Sequence, residues 1–347
     1  MLKKAVSLVL LMVLLIPFIS LGEQTVSFTD STGRVVQLPR DIIRVAPTGP
    51  LAQLALLSIA PEYLVGLSVA LNHYDRPFLE DLFGKLPVLG QLYGTSGEIN
   101  LEELMNLDPQ VIIDVGEPRD TVREDMDALQ EQLGIPCVHI TMYYQDAGRA
   151  YIELGNLLGR EDKAARLASY LDRNYKRMLD INDKVGENKV RMLYCVGEAG
   201  LNVIAQGSYH AEIIDLITSN AAVVKTPSGR GTGNEVDMEQ LLLWDPEFIV
   251  FETITAYENA QKDPLWASLQ AIENNNYVLA PKGPYNWLGF PPSVQRYLGT
   301  LWLQKTLYPQ VADYNLKEEV QAYYRLFYDY DLSDDQYDAI MAYALLK

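Results

Sequence analysis

The sequence predicts an α/β protein made of two three-layer βα lobes with parallel sheets, joined by one long α-helix. Three observations predict it. Short β-rich apolar runs alternate with helical patterns in both halves of the chain. A segment of the first half recurs in the second at a constant offset. A stretch between the halves keeps a helical apolar period.

The recurring segment comes first. Residues 99–114 read INLEELMNLDPQVIID, and residues 236–252 read VDMEQLLLWDPEFIVFE. Leu101 aligns with Met238, Glu102 with Glu239, Leu104 with Leu241, Asp108 with Asp245 and Pro109 with Pro246. Each copy has the same physical reading. Asn100 or Asp237 caps a short helix. Apolar residues at helical spacing face a core, and Asp-Pro ends the helix because proline cannot continue it. A buried strand follows. The spacing is too long for a solenoid and suggests two similar lobes.

The remaining elements follow in order. In the first half IIRVAP, YLVGLS, VIIDVG and PCVHIT read as strands. Pro50 to Ile59 reads as a helix opened by Thr48-Gly49-Pro50, and Thr121 to Leu133 as a helix ended by Gly134. In the second half RMLYCVGE, LNVIAQG, FIVFE and NNYVLAP read as strands, and His210 to Thr218 as a helix. Between them, Gln145 to Val185 reads as a short helix, a break at Gly159, and a long helix of about 24 residues, hence about 36 Å. The C-terminal YYRLFYDYDLSDDQYDAI, with Tyr323, Tyr324, Tyr328 and Tyr330, reads as an amphipathic tail on the second lobe.

The N-terminus has its own pattern. Lys3 and Lys4 precede an apolar run from Ala5 to Ile19, and small residues stand before Glu23. This predicts a cleaved secretory signal over 1–22. No cysteine follows the run, which argues against a lipid anchor, and no later stretch is apolar enough to span a membrane. The predicted organisation is 1–22 signal, 23–146 first lobe, 147–186 connecting helix and 187–347 second lobe with its helical tail.

Composition narrows the function. Lys and Arg number 28 against 46 Asp and Glu, a net charge of −18. Losing the signal and its two lysines takes this to −20. Such acidity argues against nucleic-acid binding, which needs clustered cations, and against docking on anionic lipid. Cys137 and Cys195 lie in apolar strand-like runs and read as buried free thiols. There is no GxSxG, HExxH or phosphate-binding GxxxxGK[ST], and GRGTGN at 229–234 does not follow a strand in the dinucleotide-binding manner. The chain is therefore not expected to be an enzyme. A metal-cluster enzyme of similar two-lobed build would need cluster-ligating cysteines, and two isolated ones do not supply them.

The order of these elements, the repeated LEEL-x-x-LDPQVII pattern and the opening FTDSTGRVVQLPRDIIRVAPTG (28–49) together resemble the substrate-binding proteins of ABC importers for iron-siderophore complexes, haem and cobalamin. The resemblance implies an exported, periplasmic protein with a ligand cleft between its lobes and limited hinge motion about the long helix. It implies delivery to an inner-membrane ABC permease with its ATPase. It also implies one glutamate per lobe meeting permease arginines, here Glu102 and Glu239. Acids in the first turn of a helix also favour its dipole, which is the alternative reading of both. No intrinsic cofactor is implied; the iron chelate, haem or corrinoid is the transported ligand. A monomer is expected. A chelate sensor serving signalling is the alternative that sequence leaves open.

Ligand contacts are expected from loops at the carboxyl ends of strands. The candidates are Tyr93, Tyr143, Tyr144, Tyr209, Arg230, Tyr285 and Trp287. The chain has 22 Tyr against 8 Phe, and tyrosine pairs a flat apolar face with a polar tip. Arg230 and Arg119 are candidates to pair with an anionic ligand. Of the histidines, His139 reads as structural within a strand, and His73 and His210 lie near loops. PYNWLGFPPSVQRYLG (284–299) is the most distinctive stretch of the second half, with Pro291 and Pro292 stiffening a helix entry. Direct coordination of a metal by the protein is left open.

Overall fold

The computed structural model describes residues 25–93 and 98–346. The expected signal over 1–22 lies outside the described residues, as do Gly94 and Thr95.

The chain opens with an antiparallel hairpin, β1 (Thr25–Thr29) and β2 (Val35–Pro39). The first lobe then runs β3 (Val45–Pro47), α1 (Pro50–Ile59), α2 (Arg76–Phe83), α3 (Leu101–Asn106), β4 (Val111–Gly116), α4 (Val122–Leu133) and β5 (Cys137–Thr141). Its three-stranded sheet has the order β3-β4-β5 and is parallel throughout. YLVGLS, expected as a strand, contributes only isolated bridges, Val45 with Leu64 and Leu67 with Val88.

Two helices follow, α5 (Ala147–Leu158) and α6 (Glu161–Val185). Gly159, at φ +62°, ends α5 in the left-handed conformation that glycine adopts without a Cβ penalty. The two helices pack on each other, and α5 also lies on α1 and β5, so it belongs to the first lobe. Only the 25-residue α6 makes the long connection.

The second lobe runs β6 (Arg191–Val196), β7 (Asn202–Val203), α7 (Glu212–Ile217), β8 (Ser219–Asn220), β9 (Asn234–Glu235), α8 (Met238–Trp244), β10 (Phe248–Phe251), α9 (Ile254–Ala260), α10 (Gln270–Glu273), β11 (Tyr277–Leu279) and α11 (Arg296–Leu307). The tail is α12 (Leu316–Tyr328) and α13 (Asp334–Met341). The sheet order is β11-β10-β6-β7-β9, with β8 beside β6. This sheet is mixed, not parallel as expected. β7 returns antiparallel to β6 through a turn carrying Gly197 and Gly200 at positive φ, too short for a parallel crossover.

The repeat folds as its sequence predicts. The Asn100 side chain accepts from the Glu103 amide at 3.1 Å, and that of Asp237 from the Gln240 amide at 2.8 Å. Asp108 and Asp245 both take positive φ, +46° and +38°, before their prolines. The helical region is disfavoured for a residue preceding proline, so both helices stop there. β4 then takes the centre of its sheet, and β10 an interior place between β11 and β6.

The tail does not rest on the second lobe alone. α12 packs on α1 and α6 as well as α11. Tyr324 and Tyr330 meet Phe78 of the first lobe edge-on, and Phe327 meets Tyr151. One continuous hydrophobic cluster therefore includes both lobes, the connecting helix and the tail.

Candidate functional site

A pocket opens between the lobes at the carboxyl ends of the first lobe's strands. Val115, Gly116 and Glu117 reach it from the end of β4, and Met142, Tyr143 and Tyr144 from the end of β5. The N-terminal half of α1 forms its floor through Leu51, Leu54 and Ala55. The facing wall comes from the second lobe: Tyr209, Pro292 to Val294, and Arg296 and Tyr297 at the start of α11. Ligands bind α/β sheets at such strand ends because the loops there are free to vary while the strands hold them in place.

Arg296 is the central polar group. It is 3% exposed, yet it stands at the first position of α11, where the positive end of the helix dipole disfavours a cation. Its Nη1 pairs with the Glu212 carboxylate. Its Nη2 donates to the Tyr209 carbonyl at 2.6 Å, and the guanidinium lies 5.1 Å from the centre of the Tyr209 ring. Its Nε is buried and has no partner. Gly289 lies beside it; a Cβ there would stand 3.7 Å from Nε.

The segment before α11 is fixed by polar contacts. The Gly283 carbonyl accepts from Trp287 Nε1 at 3.2 Å, from Gln295 Nε2 at 3.1 Å and from the Tyr324 hydroxyl. Asn286 donates to the Tyr194 hydroxyl at 3.0 Å and accepts from the Leu288 amide at 2.8 Å. Gly299 lets α11 press directly against the Trp287 carbonyl. These contacts set the orientation of Arg296 and Tyr297.

Electrostatics follow from burial. Desolvation raises the pKa of Glu117, the neighbouring Glu212 raises it further, and Arg296 acts in opposition. Glu212 is also raised by burial against the pull of Arg296. The Tyr209 phenol is pushed up to about 12 by burial. The Tyr144 phenol is raised by burial as well, and its hydroxyl bonds to that of Thr300 at 2.5 Å across the lobes. Tyr297 donates to the Tyr144 carbonyl. Tyr209 and Tyr144 are thus neutral donors and acceptors rather than phenolates.

Of the residues expected from sequence, Tyr143, Tyr144 and Tyr209 line the pocket. The others lie elsewhere. Trp287 is 0% exposed and packs in the core, so it forms no cleft wall. Tyr285 is buried too, its hydroxyl accepting from Gln53 Nε2 at 3.3 Å across the lobe junction. Tyr93 donates to Asp125 at 2.6 Å beneath the Arg119 guanidinium, beside the pocket rather than on its wall. Arg230 is exposed on its glycine-rich loop. Sequence reasoning missed Arg296, Tyr297 and Glu212. A lone arginine opening the otherwise apolar RYLGTLWL was the available signal.

The histidines do not line the pocket. His139 is buried and bonds through Nδ1 to Asp114 at 2.7 Å, a structural role as expected. His210 stacks on Phe290 and bonds to the Gly289 carbonyl at 2.9 Å. His73 is exposed beside Tyr74. Among the described residues, no group of three or more His, Cys, Asp or Glu side chains is placed to hold a metal ion. Cys137 and Cys195 are free and buried, and no described helix is long and apolar enough to cross a membrane. Glu102 and Glu239 are both exposed, at matching positions of the repeat.

A two-lobed α/β chain with an inter-lobe pocket is the build of a binding protein. The family model for periplasmic binding proteins matches residues 71–283, and the chain belongs to that family. The molybdate-binding protein MolA of Haemophilus influenzae is 23% identical over 329 residues, covering 86% of this chain and 90% of MolA. Its molybdate-bound structure superposes with a TM-score of 0.70. An ABC transporter solute-binding protein from Sulfurospirillum deleyianum is 27% identical, with a TM-score of 0.82 over 91% of this chain and 99% of that one. The catecholate-siderophore binding protein VctP of Vibrio cholerae shares the fold at 15% identity and TM-score 0.59, over 80% of this chain and 98% of its own. These relatives are substrate-binding transport proteins, not enzymes.

Proposed function

We propose that the protein is the exported substrate-binding component of an ABC importer, and that it captures a metal-centred anion with an oxygen-bearing surface for an inner-membrane permease and its ATPase. The observation that carries the ligand class is Arg296: a buried guanidinium on the cleft wall with an unused Nε, over the Tyr209 ring and among the tyrosines that line the pocket. Arginine in a dry, tyrosine-lined pocket suits oxygen anions. A ferric-siderophore-type chelate was the first expectation from sequence, and its anionic oxygens fit this wall. A metal oxyanion is the second reading, favoured by the molybdate of MolA. Haem and corrinoids are less well supported, since no histidine lines the pocket among the described residues.

The test is a thermal-shift screen with molybdate, tungstate, sulfate and ferric catecholates, followed by titration of the positive ligands. Ligand at 100 times Kd should stabilise the protein by about 2.7 kcal/mol, and Arg296→Gln should lose most of the affinity. No shift with any anion, or full affinity in R296Q, would overturn the reading. Docking is proposed at Glu102 and Glu239. Changing both to Ala should spare ligand affinity and impair uptake in cells; weakened binding instead would assign them to the cleft.

A further inference from the structure

The cleft holds more negative charge than an anion receptor needs. Glu117 lines the pocket from the first lobe, and among the described residues its carboxylate makes no hydrogen bond or ion pair. From the second lobe it feels Glu212 and Arg296, which are already paired with each other. Tyr209 is the other polar neighbour, and it feels Glu117, Glu212 and Arg296 together with the exposed Arg119, whose guanidinium rests 4.5 Å from the Tyr93 ring centre. Two carboxylates therefore share one buried guanidinium. An anion entering this half-dry space would leave the negative charges in excess, and unpaired buried charge is costly. Glu117 is the carboxylate without a partner, so it is the one that neutralises at least cost. Burial has already raised its pKa, and an anion beside it would raise it further.

We infer that anion binding in the cleft is coupled to uptake of one proton by Glu117, so that this residue sets both the pH dependence and the charge selectivity of the site. The inference rests on the anion reading given above. The sign is fixed by linkage: a group whose pKa rises on binding takes up a proton, so affinity is full at low pH and falls as pH rises through the pKa of the complex. Between the pKa of the free protein and that of the complex the loss approaches about tenfold per pH unit, and above the pKa of the complex it levels off. Sulfate, with the same charge but a smaller radius, should show the same coupling at weaker affinity.

The experiment is isothermal titration of the purified protein with molybdate and, separately, with a ferric tris-catecholate. Each titration is run at one pH in two buffers of different protonation enthalpy, and then from pH 6 to 8. The expected result is an uptake approaching one proton per ligand. In Glu117→Gln, which imitates the neutral carboxyl, the buffer dependence and the pH slope should both disappear; a folded variant that no longer binds either probe at pH 6 overturns the coupling, because a neutral side chain is then not what binding needs. If neither probe binds the wild type, the anion reading falls and takes this inference with it. If a probe binds with no buffer-dependent heat, or if uptake persists in E117Q, the proton coupling through Glu117 is overturned and the anion reading stands.

Discussion

Gly299→Ala tests how tightly the wall of the cleft is built. Alanine in a helix interior is favoured over glycine by about 1 kcal/mol, so propensity alone predicts a more stable protein. The packing predicts the reverse. A Cβ at position 299 would stand 2.2 Å from the Trp287 carbonyl oxygen, more than 1 Å inside ordinary contact, with Ile213 at 3.0 Å. The obstacle is backbone, and its segment is held by three donors on the Gly283 carbonyl. It has little freedom to withdraw. Overpacking costs about 1–3 kcal/mol, and a clash with fixed backbone belongs at the upper end, which leaves a net destabilisation of about 2 kcal/mol. The assay is urea unfolding followed by far-UV circular dichroism, comparing midpoints at unchanged slope. Arg296 stands one turn before Gly299, so anion affinity should fall as well. Gly229→Ala is the control, because no heavy atom lies within 4 Å of its added Cβ and its φ is not positive. It should stay within about 0.5 kcal/mol of wild type. A G299A protein as stable as wild type, or more stable, would refute the reasoning.

Other outcomes follow from single groups. Asp75 is 1% exposed; its Oδ2 accepts from the Asn72 amide at 2.9 Å, but its Oδ1 is buried without a partner, and burial raises its pKa to about 7. The folded state then holds a proton that the unfolded chain gives up near the ordinary value of 3.8, so stability should fall as pH rises from about 4 to 7. Asp75→Asn keeps the acceptor for Asn72 and should flatten that window, leaving the variant the more stable protein at pH 8 by urea unfolding. Cys137 and Cys195 are both buried, and burial pushes each thiol up to about 12. Neither should react with an aromatic disulfide reagent at pH 8 until denaturant is added, when two equivalents should appear; rapid native labelling would contradict their burial. Trp287→Ala should cost about 3–5 kcal/mol of stability, as a core truncation does. A normal unfolding midpoint with lost ligand affinity would instead return Trp287 to the cleft.

What was legible in the sequence was local. Asn100, Asp237 and the two Asp-Pro pairs announce a cap and a stop within a few residues of themselves, so both copies of the repeat could be read and aligned. Strand ends were legible for the same reason, and with them Tyr143, Tyr144 and Tyr209. The misses involve distance. Whether an aromatic points into a cleft or into the core depends on the neighbours it meets in space. Tyr285 and Trp287 satisfy their polar tips on Gln53 and on Gly283, partners the sequence could not assign. LNVIAQG was read as a strand of a parallel sheet because an apolar run looks the same in either direction; the glycines at 197 and 200 carried the reversal. Arg296 was passed over because a proline pair four residues earlier marked the helix entry more loudly. Its misfit with the helix dipole is a feature that sequence can show.

The tail across the two lobes has a consequence for how occupancy is signalled. α6 is one connection, and the aromatic cluster of α12 on α1, α5 and α6 is a second, so opening the cleft widely would tear apart packed rings. If Glu102 and Glu239 are the contacts offered to a permease, they behave as the tips of a caliper locked at one setting. A permease gauging only their separation would accept empty and loaded carriers alike. The difference between the two would have to be written at the rim of the pocket, in the loops after β4 and β5 and the start of α11, where a ligand replaces water without moving either lobe.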